Sequence, residues 1–151
     1  MPEGVVVVEY DREWPTLFDG LGERLRAELG DVALRIDHIG STAVVGLAAK
    51  PVIDVQISVS SFEPLASFRT PLERAGFVHQ VDNPERTKRY FREQLGARRT
   101  HIHVRRAGSF SEQFGLLFRE YLRAHASRAE AYAALKRSLA IRFSAPDQRQ
   151  D

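Results

Sequence analysis

The sequence predicts an α/β (α+β) sandwich: a mixed β-sheet flanked by helices, with a helical C-terminal part. Three observations lead there. Val52–Val59 and Thr100–Arg106 alternate apolar and polar residues with the period of a strand. Trp14, Leu17, Phe18, Leu21 and Leu25 recur at helical spacing, and so do Phe114, Leu117, Phe118, Tyr121 and Leu122. Strands enclosed by helices in this order build layered α/β or α+β domains. With 151 residues, 43% of them apolar, residues 1–151 suit one domain with a sizeable core.

The elements follow in order. Val5–Tyr10 is β-branched and reads as a first strand, and Pro15 suits the first turn of the helix begun by Trp14. Leu34–Ile39 and Val52–Val59 are strand-like; in the latter Ile53, Val55, Ile57 and Val59 share one face, while Asp54, Gln56 and Ser58 share the other. A short helix over Pro64–Ala75 precedes strands at Phe77–Val81, Arg89–Arg92 and Thr100–Arg106. Two helical stripes close the chain and are assigned to the core. Ser127 and Glu130 form a capping box for the second. Ser144–Asp151 is turn-prone and is expected to fray.

Composition excludes several classes. Lysines and arginines exceed aspartates and glutamates by 22 to 20, too small a bias to predict nucleic-acid binding from charge alone. The absence of cysteine removes disulfides, thiolate metal sites and cysteine nucleophiles. The longest apolar run, Val5–Val8, is far too short to span a membrane or serve as a signal segment, so a cytoplasmic location is expected.

The chemistry concentrates in residues 36–59. Gly40 lets backbone N–H groups approach an anion, Ser41 and Thr42 add hydroxyls, and a helix starting near Thr42 would aim its positive end at the same point. An ordinary turn would use the same residues. Asp54 changes the balance, because a carboxylate within an apolar strand needs a cation, a strong donor or water beside it. Lys50, four residues earlier, would reach a phosphate or pair with Asp54. His101 and His103 project from one face of their strand, at a spacing that suits two metal ligands or two phosphate contacts. His38 either joins that cluster or fixes the turn. His79 and His125 read as surface residues.

These residues resemble the GrpB-like proteins of the nucleotidyltransferase superfamily. The likeness lies in His38-Ile39-Gly40-Ser41-Thr42-Ala43-Val44, Gly46-Leu47, Ala49-Lys50-Pro51 and Ile53-Asp54-Val55. It extends to Tyr10-Asp11 with Trp14, to His101-Ile102-His103-Val104, and to Phe118–Arg123 with Tyr132, Leu135 and Lys136, covering about residues 5–143. It implies a nucleotidyltransferase-like mixed sheet and a groove beside the Gly-Ser turn, with no settled reaction. Similar domains fused to dephospho-coenzyme A kinase suggest, by association, a link to coenzyme A metabolism.

Nucleotidyltransferases usually carry two acidic residues alternating on the strand after Gly-Ser; here the second is Gln56. A glutamine carbonyl can touch a metal but brings no charge, which puts the two-metal route in doubt. Asp54, Gln56, His101 and His103 form the candidate metal set, and the histidines favour Zn²⁺ or Mn²⁺ over Mg²⁺. Gly40, Ser41, Thr42, Lys50, Arg89 and Arg92 form the candidate phosphate set, with Asp54 and Lys50 as candidate catalytic residues. Arg86, Lys88, Arg89, Arg92, Arg98, Arg99, Arg105 and Arg106, interleaved with Tyr90 and Phe91, offer a surface for phosphates, a nucleotide or single-stranded RNA. Arg119, Arg123 and Arg128 are expected in exposed pairs with glutamates. Three functional readings follow: a phosphoryl- or nucleotidyl-transfer enzyme, a catalytically silent nucleotide-binding module, or an accessory partner of another enzyme.

Overall fold

The computed structural model describes residues 6–142. Five strands form one sheet in the order β1-β2-β5-β4-β3: β1 (Arg35–Ile39), β2 (Ile53–Val59), β3 (Phe77–His79), β4 (Arg89–Glu93) and β5 (Thr100–Arg106). The central pair β2/β5 is parallel, and the other pairs are antiparallel. Helices α1 (Trp14–Leu29) and α2 (Ala66–Arg74) cover one face, while α3 (Phe110–Ala124) crosses the other over β1, β2 and β5. Helix α4 (Ala126–Arg142) packs against α3.

The alternation read from β2 and β5 sets these layers. Val55, Ile57, Ile102 and Val104 turn toward α1 and α2, where they meet Trp14, Leu21, Leu25, Phe68, Leu72 and Phe91 in the main core. Each such side chain removed from water contributes roughly 1.5–3 kcal/mol. The opposite face carries Asp54, Gln56, His101 and His103. Helix α3 lies close to it because Gly115 has no side chain: a Cβ there would stand 2.9 Å from Gln56 Oε1.

Several expectations change. Val6–Tyr10 forms no strand, only an isolated bridge between Val8 and Ala49. No helix begins at Thr42; Ser41–Ala43 is a single 3₁₀ turn, too short to supply a helix dipole. The α3 stripe is largely not core, with Phe114 56%, Leu117 65% and Tyr121 37% exposed; the buried positions are Glu112, Leu116 and Leu122. Ser127 lies inside the first turn of α4 rather than at its cap. A comparable box stands at α3 instead, where Ser109 Oγ accepts from Glu112 N–H at 3.2 Å and Glu112 Oε1 accepts from Gly108 N–H at 2.8 Å. Val5 and Ser144–Asp151 lie outside the described residues.

Candidate functional site

The site begins where β1 ends. Ile39 pairs with Asp54, and the next residue, Gly40, turns at φ 76° directly over the Asp54 side chain. A Cβ on Gly40 would meet Asp54 Oδ2 at 2.8 Å, so both the conformation and the contact require glycine. Two arginines of α3 fasten this turn from behind. Arg119 donates to His38 O at 3.0 Å, and Arg123 donates through Nε and Nη2 to Ala43 O at 3.1 and 2.8 Å. These part-buried positioning contacts come in addition to the expected exposed ion pairs, which both arginines make with Glu120.

In the parallel β2/β5 pair, Asp54 stands opposite His101 and Gln56 opposite His103. Asp54 Oδ1 lies 3.0 Å from His103 Nε2 and 3.5 Å from His101 Nδ1. Burial alone would push the Asp54 carboxyl up; the two histidines outweigh it and hold the group well below the usual carboxylate range. Burial pushes the His103 imidazole down, against the pull of Asp54. The ring therefore stays neutral near pH 7, donates from Nε2 to the carboxylate, and accepts at Nδ1.

What it accepts there is the ammonium of Lys88, 2.9 Å away. Lys88 is only 7% exposed, 3.7 Å from Glu85 Oε1 and 4.6 Å over the Tyr90 ring, and burial lowers its pKa. From the sequence, Lys88 belongs only to a general basic cluster. The signal was available: Lys88 is two residues before Tyr90, which pairs with His103 across β4 and β5.

The remaining candidates divide between the two faces. Arg92 pairs with His101, so it shares the face of the cluster. Arg89 pairs with Val104 and lies on the opposite face, 4.1 Å over the Phe62 ring, which removes it from any phosphate contact beside Asp54. The basic segment is thus split by strand alternation, and Phe91 is wholly buried. His38 pairs with Val55 and also faces away from the cluster, stacked on Phe18 at 4.8 Å. Its Nε2 donates to Thr42 Oγ1 at 3.0 Å, and that hydroxyl donates to Val52 O at 3.0 Å. His38 therefore fixes the turn, and the Thr42 hydroxyl is spent on structure rather than held out to a ligand. His79 is half-buried against the Phe91 ring, not a surface residue, whereas His125 is exposed.

Gln56 shares the face of Asp54 but is sealed beneath α3. Its Oε1 accepts from Arg105 at 2.8 Å and its Nε2 donates to Glu112 O at 3.2 Å. With no exposure and both ends engaged, it is not available as a ligand. Ser41 is half-buried on the 3₁₀ turn after Gly40, and Lys50 is half-buried four residues before Asp54.

Asp54, His101 and His103 can each offer one ligand atom, and these atoms lie within 4.8 Å of one another. Two imidazole nitrogens and a carboxylate oxygen fit a divalent transition metal. The His101 Nε2 atom is buried without a hydrogen-bond partner. Such an orphan costs roughly 1–3 kcal/mol.

A mixed sheet with a Gly-Ser turn over a strand carboxylate defines a nucleotidyltransferase-like fold. Within it the chain belongs to the GrpB family: a family profile described as "GrpB protein" matches residues 4–151. UPF0157 protein YqkA of Bacillus subtilis is 38% identical over 136 residues, which is 90% of this chain and 40% of that protein. A dephospho-CoA kinase of Mycobacterium tuberculosis is 33% identical, matched over 86% of this chain and 38% of its own length. The chain therefore spans about two-fifths of those relatives. UPF0157 protein BH1888 of Halalkalibacterium halodurans is 36% identical, with 69% of its length matched. The crystal structure of GrpB from Enterococcus faecalis superposes with a TM-score of 0.83 at 33% identity, covering 91% of this chain and 84% of that one. The Cid1 poly(U) polymerase bound to MgATP gives a TM-score of 0.55 at 12% identity over 79% of this chain and 40% of its own, a likeness of fold alone. Among the described residues no helix is long and apolar enough to cross a membrane.

Proposed function

We propose that this chain binds a phosphate-bearing small molecule, a nucleotide in the first instance, together with a divalent cation in the groove beside Gly40 and Asp54. The observation that carries this reading is the ionised Asp54 carboxylate, flanked by His101 and His103 and roofed by a glycine turn that leaves no room for a side chain. Asp54, His101 and His103 would hold the cation, which would supply positive charge to offset a polyphosphate. The turn amides with Ser41, Lys50 and Arg92 would orient the phosphates.

Two outcomes of such binding remain distinct. Nucleotidyl or phosphoryl transfer would use Asp54 and Lys50 at the reacting centre, whereas a silent binding module would use the same groove without turnover. The bonds of Gln56 to Arg105 and Glu112 favour the second, because they engage the side chain that stands where nucleotidyltransferases usually carry the second carboxylate. The similarity to dephospho-CoA kinases makes dephospho-coenzyme A a ligand worth testing, and supports an accessory role in coenzyme A metabolism if no nucleotide binds. RNA is a weaker proposal, since the basic segment is divided between the two faces of the sheet.

Charge balance sets the test. A nucleoside triphosphate and Asp54 repel each other without a cation, so binding should require one. Calorimetric titration of ATP, CTP, GTP, UTP and dephospho-coenzyme A should show affinity that depends on Mn²⁺. Asp54→Asn should abolish that dependence, and Lys50→Ala should weaken binding with and without metal. Affinities no tighter than about millimolar, or binding indifferent to Mn²⁺ and both substitutions, would replace this reading with the accessory-partner one.

A further inference from the structure

We infer that Lys88 latches His103, so that the groove takes a divalent metal and a phosphate group together and holds each one poorly alone. This rests on the reading above and specifies its ligand as a metal–phosphate complex.

The argument starts from a donor count. A neutral imidazole has one N–H. His103 Nε2 faces a carboxylate oxygen at 3.0 Å, which can only accept, so Nε2 carries the hydrogen. His103 Nδ1 then accepts from the Lys88 ammonium at 2.9 Å. For His103 to hold a metal beside Asp54, the Nε2 lone pair must be free and the ring hydrogen must sit on Nδ1. That hydrogen would point at the Lys88 N–H group, two donors facing each other with no acceptor between them. Metal-bound histidines ordinarily donate their second N–H to a carboxylate or carbonyl. Here a cation fills that place.

Neighbouring groups favour the latch until a stronger acceptor arrives. Glu85 lies 3.7 Å from the ammonium and the Tyr90 ring lies beneath it at 4.6 Å, and both favour Lys88 beside His103. Arg105, held on Gln56, adds a second positive charge on the same side, and Asp54 is the facing anion. A bare divalent ion must therefore overcome both a misplaced hydrogen and cationic repulsion. A phosphate group delivered with the metal provides a stronger acceptor for Lys88, whose flexible four-carbon stem allows the ammonium to swing to it. His103 remains neutral throughout, its hydrogen passing from Nε2 to Nδ1 through solvent, and Lys88 keeps its charge. Phosphate without metal meets the charge of Asp54 unscreened.

Two measurements test this on the full chain. Co²⁺ absorption titrations, with the protein-free cobalt pyrophosphate spectrum subtracted, give metal affinity with and without inorganic pyrophosphate. In the wild type, pyrophosphate should strengthen Co²⁺ binding on the order of tenfold. Lys88→Met should bind Co²⁺ alone on the order of tenfold more tightly than the wild type, with the gain from pyrophosphate falling below about threefold. Lys88→Gln replaces it if the Met variant does not fold. Ring-nitrogen NMR of wild-type His103 should place the hydrogen on Nε2 in the free protein and on Nδ1 with Zn²⁺ and pyrophosphate together. An Nδ1 hydrogen in the free protein, or a Lys88→Met variant that binds Co²⁺ no more tightly than the wild type, overturns the latch and leaves the metal–phosphate reading standing. Wild-type Co²⁺ affinity unchanged by pyrophosphate overturns both, because by linkage pyrophosphate would then bind without regard to metal. Absence of Co²⁺ binding by wild type and variants in every condition overturns both.

Discussion

The two faces of this sheet are made by the same strands and do opposite things. On the α1/α2 face Ile53, Val55, Ile57 and Val59 of β2 and Ile102 and Val104 of β5 are apolar and buried; on the α3 face the intervening residues are polar, Asp54, Gln56 and Ser58 of β2 and His101, His103 and Arg105 of β5. Two titratable groups show the difference within one strand step. His38, beside Val55 on the apolar face, is lowered to about 4, chiefly by burial, and stays neutral. Asp54, beside Ile39 on the other face, stays charged because two imidazoles pay for its desolvation. At His38 burial outweighs its polar and charged neighbours and the ring stays neutral; at the half-buried Asp54 the converging imidazoles outweigh desolvation and the group stays ionised.

The largest expected effect tests the apolar face. Phe91 is fully buried between Phe68 and His79, whereas its neighbour Tyr90 points to the groove and stacks on His103. Phe91→Ala should cost about 3–5 kcal/mol in urea unfolding, and Tyr90→Ala clearly less. Equal losses would mean that the two faces are not energetically distinct.

The pH dependence of stability sharpens the same contrast. A histidine with a lowered folded pKa contributes stability that is present above its unfolded value of 6.5 and lost as pH falls toward about 4. For His38 the full loss is at most roughly 3 kcal/mol at 1.36 kcal/mol per unit. Burial also lowers His79 and His103, which share the direction, while the contribution of Asp54 is lost only below its ordinary carboxylate range. Guanidinium midpoints of His38→Gln should therefore decline less steeply than those of the wild type from pH 6.5 to 4. Parallel curves would place His38 outside this linkage.

Most of this arrangement was legible in the sequence, for reasons of period. Alternation in β2 and β5 put Asp54 on one face and both histidines on one face, and parallel pairing brought the two sets together. What the sequence could not show was which neighbour each polar atom would meet. Gln56 looked like a ligand until α3 closed on it through Gly115, and Arg89 and Arg92 looked alike until register separated them. Ser109 and Glu112 carry the same spacing as Ser127 and Glu130; Ser109 stands at a helix start and accepts from Glu112 N–H, whereas Ser127 falls inside the first turn of α4. Spacing alone does not say where a helix begins.

The smallest expected effect concerns α3, whose apolar stripe the sequence assigns to the core. Its sheet-facing side is chosen by contacts the stripe does not include: Gly115 against Gln56, Arg119 on His38 O and Arg123 on Ala43 O. Those bonds rotate the helix so that Phe110, Phe114 and Leu117 face outward. Phe114→Ser and Leu117→Ser should each change stability by less than about 0.5 kcal/mol, as expected of exposed positions. Leu122→Ser, on the buried side of the same helix, should cost several times more, because it opens the small cluster formed with Val44, Leu47 and Ala133. Thermal unfolding of the three variants decides it: a large loss from Phe114 or Leu117 would show that the stripe is buried and that α3 is turned the other way.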